Sequence, residues 1–511
     1  MKASRIENSK KNIGFGLIGK VVQILFKFLL RTTIIYYFGA VYLGLDGLFL
    51  NIISVLSIAE LGIGNAICFA LYKPLAEGNH SKIYTYMLFY KKVYYLLGIL
   101  ILSLGLMVIP VLKYIVNFDY SVSVNYYAIY ILFLFHAVSS YWFGAYLQVL
   151  YIADMKEYRV NNIKNIIFMA MVVMQIAVII ITHNYYLNLM VVIAGNISTN
   201  LWIARSARKD YADILKLKTA SMTSGDKQQL KRNIFALTVA KISTVIYTSS
   251  DNILISIFIG TLIVGHYSNY AYVVSAVSGL IAILFSGLLA GVGNANAIES
   301  PQKMDQIFQQ MLLVNFWVYG LCFICLHQLL QEFIYLWAGE NYLLSSGTVF
   351  IVLLLFLVPG LNHTCTIFKD ACGLFWETRY RMAVTAAINI ITSIILAYKL
   401  GLIGILLGTI ISYFLSTFLY DPQIIYKKIL KRNPAKFYWW YLSSFLKIMG
   451  ADFLIYRVIR HIHASTWMLL ILKGVACFAL VNFFFLVINR KKQEFLYFKE
   501  LIFHEYARRK K

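Results

Sequence analysis

Three cationic side chains lie inside the first long apolar stretch of the chain. Lys20, Lys27 and Arg31 are spaced i, i+7 and i+11, which places them within about 40° of arc on one helical face. A charged side chain at the centre of a bilayer costs roughly 2.5–3.5 kcal/mol on insertion scales, so this face must turn toward protein or water. The spacing predicts a cavity that attracts anions.

The composition is that of an integral membrane protein. Of the 511 residues, 60% are hydrophobic and 13% are charged, and the mean hydropathy is +0.71, which is too apolar for a soluble globule. We expect an all-α protein with about fourteen transmembrane helices, each long enough to cross roughly 30 Å of hydrocarbon. The apolar stretches lie near residues 13–38, 43–71, 84–110, 125–150, 162–182, 186–206, 233–260, 264–290, 308–330, 345–366, 381–398, 402–420, 437–457 and 466–488.

The first apolar stretch has a second copy 221 residues later. The matched pairs are Asn12 with Asn233, Ile13 with Ile234, Lys20 with Lys241, Gly39 with Gly260 and Gly44 with Gly265. Lys241 is therefore a fourth candidate anion ligand, although the copy has Thr248 and Asn252 in place of Lys27 and Arg31. Six spans are an even number, so the second half enters in the same orientation as the first. This predicts two pseudo-symmetric six-helix bundles in a parallel repeat, followed by two C-terminal helices.

These spans divide the chain into four parts. We assign 1–206 to the N-terminal bundle, 207–231 to a cytoplasmic linker loop and 232–420 to the C-terminal bundle. Residues 421–511 form a basic loop, helices 13 and 14 and a cytoplasmic tail.

The net charge of +24 follows the pattern of a membrane protein rather than a nucleic-acid-binding one. With both termini in the cytoplasm, most of the 46 lysines and arginines fall on the cytoplasmic side, as the positive-inside rule expects. Those outside are Lys113, Lys399, Arg457 and Arg460. The basic blocks favour contact with anionic membrane lipids, and no nucleic-acid partner is expected.

Other chemical signals are weak. Glu60 and Asp251 are the intramembrane acids that stand out, as candidates for ion coupling, as partners of a cavity cation or as water-exposed helix ends. Cys322 and Cys325 lie on an apolar helix without metal-spaced partners and are interpreted as small core residues. There is no P-loop and no catalytic triad or paired-carboxylate loop. We therefore expect no enzyme activity, cofactor or metal.

Five separate blocks within about residues 10–425 resemble bacterial polysaccharide-repeat-unit flippases of the multidrug/oligosaccharidyl-lipid/polysaccharide exporter superfamily. The blocks are Glu60 to Ile67 with Leu71 to Ala76; Ser250 to Ile255 with Gly265 to Tyr270; Gly291 to Asn294; Phe333 to Gly339 with Tyr342 to Leu344; and Asn389, Ser393, Gly401, Gly404, Gly408 and Thr409.

The resemblance implies an inverted V of two bundles that moves an undecaprenyl-diphosphate-linked oligosaccharide repeat unit from the inner to the outer leaflet by alternating access. Such a protein serves capsule, exopolysaccharide, O-antigen or teichoic-type polysaccharide synthesis in the bacterial cytoplasmic membrane, with a polysaccharide polymerase and glycosyltransferases as partners. Similarity to lipid II flippases implies an anion-binding role for Lys20, Lys27 and Arg31, and a lipid-tail groove at 437–488. A multidrug/cation antiporter of the same superfamily, a membrane-embedded polymerase and a lipid-independent polysaccharide channel remain as alternatives.

Overall fold

Apolar helices dominate the computed structural model of the protein. It describes residues 2–57, 63–117, 124–217, 228, 244–374, 377–378, 380–462, 464–497 and 500. In these residues the helices are α1 (Lys2–Leu56), α2 (Ile63–Glu77), α3 (His80–Val108), α4 (Leu112–Ile115), α5 (Tyr126–Ser139), α6 (Gln148–Ala153), α7 (Glu157–Thr182), α8 (Tyr185–Asp210), α9 (Ala212–Leu215), α10 (244–258), α11 (Thr261–Ile298), α12 (Pro301–Ala338), α13 (Ser346–Leu361), α14 (His363–Ala371), α15 (Arg381–Tyr413), α16 (Leu419–Ile425), α17 (Ala435–Ile459) and α18 (Trp467–Asn489).

Eight helices in the described part of the chain are long and apolar enough to cross a membrane. The number is nine if α13 and α14, which meet at a bend of 40°, form one span. Two of the candidates, Gly19–Leu56 with 38 residues and Arg381–Leu430 with 50, would run for roughly 57 and 75 Å if they were straight. Each is broken by a glycine with positive φ, Gly39 (76°) and Gly401 (57°). The structure supports a multi-pass all-α fold, and the count of fourteen spans stays a prediction.

The stretch predicted as one span at 125–150 contains a turn. Helix α5 ends at Ser139 and the chain resumes as α6 at Gln148. Phe143 and Gly144 between them both have positive φ, at 57° and 84°, a conformation incompatible with a continuous α-helix. This turn directs Ser140 and Tyr146 into the walls of two cavities.

The chain forms two compact units, Met1–Gly265 and His266–Lys511. The core of the first unit is built from the part of α1 after Gly39 together with α2, α3, α5, α6 and both ends of α8. In the second unit, α17 and α18 pack against α12. Asp452 on α17 accepts a hydrogen bond from Gln328 at 2.7 Å, and Lys473 on α18 pairs with Glu332 at 2.7 Å. The predicted four-part division of the chain is not tested by these units and stays a prediction.

The glycines matched by the sequence repeat make reciprocal contacts within the first unit. A methyl group at Gly44 would lie 2.1 Å from the carbonyl oxygen of Thr261, and one at Gly265 would lie 2.1 Å from that of Ala40. Only a residue without Cβ allows so close an approach of two backbones. The repeated spacing therefore has a local structural cause, while the parallel repeat as a whole remains a prediction.

A polar seam joins the two arms of the hairpin that turns at Gly401. Asn389 donates to the Thr409 hydroxyl at 2.8 Å, and Ser393 donates to the Ile405 carbonyl at 3.0 Å. The buried ion pair of Arg381 and Asp421 closes the open end. These bonds run between antiparallel arms, so the side chains that resemble the family in this region stabilise the hairpin.

We predict that Gly404→Ala destabilises this hairpin, because the new methyl group would lie 2.1 Å from the Leu396 carbonyl oxygen. Overpacking of this kind costs about 1–3 kcal/mol. The measurement is the thermal denaturation midpoint of the protein in detergent. Gly450→Ala is the matched control, because no atom lies within 4 Å of its new methyl group. Equal midpoints for the two variants would show that the close approach is not required.

Candidate functional site

Lys27 on α1 lines a cavity inside the first unit. The cavity has a volume of about 410 Å³, and its walls come from six elements of that unit. They are lined by Gln23, Lys27, Tyr94, His136, Ser140, Gln148, Lys164, Ile167, Phe168, Met171, Val192, Gly195, Asn196, Thr199 and Asn200. Lys27 therefore lies at a cavity, and the binding of an anion there stays a prediction.

Lys164 on α7 is a second lysine in this cavity. Its ammonium donates to the Gln148 side-chain oxygen at 3.0 Å, which occupies one of its three donor positions. No Asp or Glu is among the described residues that line the cavity. Two ammonium groups facing a common space without a carboxylate between them create a positive potential that favours an anion.

Side-chain amides hold the polar wall opposite α1. The Asn196 amide on α8 donates to the hydroxyls of Ser139 and Ser140, at 2.7 and 2.9 Å, and that of Asn200 donates to the Ser139 carbonyl at 2.9 Å. These bonds tie α8 to the end of α5 and the turn that follows it. The same wall contains apolar surface, so the cavity has polar and apolar sides, as is usual for small-molecule sites.

The other two cations of the predicted face have different surroundings. Lys20 is exposed and does not line the cavity, but its charge acts on Lys27. Arg31 is half-buried and its charge acts on the carboxylate of Asp46. The three cations of α1 therefore have different surroundings, and Lys27 is the one that lines the cavity.

Asp46 was not among the acids singled out from the sequence. It lies just beyond the Gly39 break in α1, and the Tyr185 hydroxyl donates a hydrogen bond to it. The Tyr42 and Phe38 rings pack on the Tyr185 ring, with centroids 4.6 and 5.2 Å away. The charges of Asp46 and Arg31 act on each other, so this half-buried carboxylate counters part of the cation's charge. The signal in the sequence was a single acid in an apolar run, close to its start.

Three further site residues were predicted from the sequence. Lys241 and Glu60 lie outside the described residues. Asp251 is a half-buried residue of α10 whose charge acts on the Tyr247 hydroxyl, and it does not line the cavity. Among the residues that the structure describes, no group of three His, Cys, Asp or Glu could hold a metal ion.

No protein-family model and no curated protein sequence matches this chain. Solved structures do. The lipid II flippase MurJ in an inward closed conformation matches with a TM-score of 0.69 at 16% sequence identity, over 94% of this chain and 99% of that chain.

Two transporter structures match as well. An inward-facing multidrug resistance MATE family transporter of the MOP superfamily gives a TM-score of 0.60 at 12% identity, over 84% of this chain and 95% of that chain. A mutant of the Vibrio cholerae MATE transporter VcmN gives a TM-score of 0.56 at 14% identity, over 84% of this chain and 99% of that chain. The chain therefore shares its fold with these solved structures of a flippase and of transporters. Within this fold, the cationic cavity is the candidate site.

We predict that the cavity attracts anionic reagents. In a background without the six native cysteines, Thr199→Cys should favour a sulfonate-bearing methanethiosulfonate over a trimethylammonium-bearing one, because Lys27 and Lys164 face the same space. We expect the ratio of the two rates to exceed that at Thr182→Cys, an exposed position that does not line the cavity, by about tenfold.

The double variant Lys27→Gln and Lys164→Gln should bring this ratio to within about twofold of the Thr182→Cys value, because it removes both cavity charges. The same ratio at positions 199 and 182 in the unaltered cavity would contradict a positive cavity potential.

Proposed function

We propose that this protein is a flippase for undecaprenyl-diphosphate-linked oligosaccharide repeat units. The observation that carries the proposal is the cavity with two lysines and no carboxylate in its described lining, inside a fold shared with a lipid II flippase. We infer a place in the bacterial cytoplasmic membrane, alternating access between its leaflets, and a polysaccharide polymerase and glycosyltransferases as partners.

The physical problem of this reaction is the head of the substrate. A diphosphate carries about two negative charges and cannot enter hydrocarbon unaccompanied, whereas a prenyl tail can remain in the lipid. The protein therefore needs to shelter only the head. Lys27 and Lys164 supply compensating charge, and the half-buried Phe168 in the same cavity offers apolar surface against which a sugar can pack.

Arg31 has a separate part in this proposal. Its planar guanidinium can donate two parallel hydrogen bonds to a phosphate, which lysine cannot do. Asp46 opposes its charge in the present structure. We infer that phosphate binding competes with Asp46 for Arg31, so the affinity for the head depends on this acid as well as on the cations.

A multidrug/cation antiporter is the competing function, and Asp46 is the observation in its favour. A half-buried acid that is hydrogen-bonded to a tyrosine can bind a proton or a cation. The cavity itself argues the other way, because its described lining contains two ammonium groups and no acid. Uptake of a lipophilic cation into proteoliposomes, measured beside flipping of a lipid diphosphate, separates the two functions.

We predict that Lys27→Ala and Arg31→Ala abolish export while the protein still inserts into the membrane. Each change removes one anion-pairing charge without shortening the span. Arg31→Lys should retain part of the activity if charge alone matters, and less if the bidentate fork does. The measurement is flipping of a lipid-diphosphate oligosaccharide in proteoliposomes.

Lys399→Ala is the matched control, since Lys399 is an exposed cation that does not line the cavity. Normal flipping by Lys27→Ala and Arg31→Ala at wild-type protein level would refute the assignment of these residues.

We further predict that an inside-negative membrane potential accelerates flipping toward the outside without a sodium or proton gradient. The potential favours outward movement of an anion by roughly 2.3 kcal/mol per charge per 100 mV, or about 4.6 kcal/mol for two charges. A potassium-valinomycin potential across proteoliposomes tests this. If flipping ignores the potential and follows pH or sodium instead, coupling through an acid such as Asp251, Glu60 or Asp46 takes its place.

A further inference from the structure

A second cavity lies in the first unit and shares no lining residue with the one that contains Lys27. Its volume is about 400 Å³, and it is bounded by α3, the turn at 145–147, the end of α8 and the short helix α9. The polar residues in its lining are Tyr84, Lys91, Tyr146, Arg208 and Lys216.

Three of these residues are cations, and none is an acid. Lys91, Arg208 and Lys216 are all exposed, and none forms an ion pair among the described residues. The acids closest in sequence do not neutralise them. Asp210 is engaged by Arg159 and by the Tyr151 hydroxyl, the latter at 2.7 Å, and Asp213 is exposed and lies outside the lining.

Two tyrosines complete the lining. The Tyr146 side chain is buried, and the charge of Arg208 acts on its hydroxyl. The Tyr84 hydroxyl is a second neutral hydrogen-bonding group in the same cavity. A tyrosine hydroxyl can donate a proton to an anionic oxygen, so the cavity offers ammonium, guanidinium and hydroxyl donors together. This is the donor set that a phosphate group prefers.

The helices that carry these cations place the cavity at the depth of lipid headgroups. On α3, Leu96 is 65% exposed and Ile99 is 53% exposed, as expected of side chains that face lipid. Lys91 precedes Leu96 by five residues, or about 7.5 Å along the helix. The polar headgroup region on each side of a bilayer is roughly 5–8 Å thick, so Lys91 falls within it.

Helix α8 places its cation at the outer edge of the same region. Trp202 is 46% exposed, and tryptophan is enriched at the boundary between hydrocarbon and water. Arg208 follows it by six residues, or about 9 Å along the helix. Both helices therefore bring a cation into the cavity just beyond their last lipid-facing side chains. The basic residues around this end of the unit indicate that it faces the cytoplasm.

We infer that Lys91, Arg208 and Lys216, with the hydroxyls of Tyr84 and Tyr146, form a binding site for the phosphate of an anionic phospholipid headgroup in the inner leaflet. A soluble phosphate ester has the same anionic group, but the depth of the cavity favours the lipid. An occupied site links the cytoplasmic ends of α3 and α8. Both helices also wall the cavity of Lys27, through Tyr94 and Asn200.

The test uses the full-length protein purified in a neutral detergent. Phosphatidylglycerol should raise the thermal denaturation midpoint, and phosphatidylcholine, which is zwitterionic, should do so far less. In the double variant Lys91→Gln and Arg208→Gln, we expect the phosphatidylglycerol concentration for half of the effect to rise by about tenfold or more. The double variant Lys92→Gln and Lys209→Gln removes adjacent exposed cations that do not line the cavity, and it should respond like the wild type.

Two further variants complete the test. If the Lys91 and Arg208 double variant does not elute as a folded protein, Lys216→Gln alone replaces it, because Lys216 lies beyond the last turn of α9. We expect a rise of about threefold or more for that variant. Lys27→Ala should leave the lipid response unchanged, which separates this site from the proposed transport site.

The inference is overturned if phosphatidylglycerol stabilises both double variants equally, since its effect then depends on surface charge in general. It is also overturned if phosphatidylglycerol has no effect on the wild type. Stabilisation by glycerol 3-phosphate at the same concentration as phosphatidylglycerol would overturn the lipid assignment and identify a soluble ligand.

Discussion

The constraint on which this structure depends is that a charge inside a membrane must be surrounded by protein or water. A lysine at the position of Lys27 would be costly on a helix face that meets lipid, and in the first unit its exposed side chain lines a cavity with polar walls. Asn196 and Asn200 hold the opposite wall by bonds to Ser139 and Ser140. A polar cavity beside α1 is thus the condition for placing the cation within the span.

Close backbone approach makes room for this arrangement. Helix α1, which carries Lys27, is interrupted at Gly39, where φ is 76°. Five residues later Gly44 allows contact with the Thr261 carbonyl. In the second unit, Gly401 interrupts α15 in the same way, and Gly404 allows the close approach to the Leu396 carbonyl. Glycine is required at these positions because a side chain would meet backbone, which cannot move aside as a flexible side chain can.

The sequence predicted the parts of the site whose signal is local. Lys27 was recognisable because a cation in an apolar stretch has few explanations, and the cavity beside it is present. Lys164 was not recognised. It follows Glu157 and Arg159 near the start of its span, where the positive-inside rule already accounts for a lysine. Its ammonium donates to Gln148 on the preceding helix, α6. No periodicity in the sequence reveals such a contact.

Asp46 and the turn after α5 were missed for a similar reason. Asp46 is close to the start of an apolar stretch, where an acid usually contacts water, and its hydrogen bond comes from Tyr185, 139 residues away. The stretch 125–150 is apolar throughout, so its composition predicts one span. The turn depends on the positive φ of Phe143 and Gly144, which hydropathy does not register. Elements and local charge were predictable, and contacts made by distant parts of the chain were not.

The central claim is that the cavity of the first unit binds a diphosphate head through Lys27 and Lys164. The most direct measurement is binding of an undecaprenyl-diphosphate saccharide to the purified protein by native mass spectrometry, with competition by inorganic pyrophosphate and by tetraphenylphosphonium, a lipophilic cation. The account predicts saturable binding that pyrophosphate displaces and the cation does not, weakened about tenfold or more by Lys27→Gln with Lys164→Gln. Displacement by tetraphenylphosphonium alone, or unchanged affinity in the double variant, would contradict it.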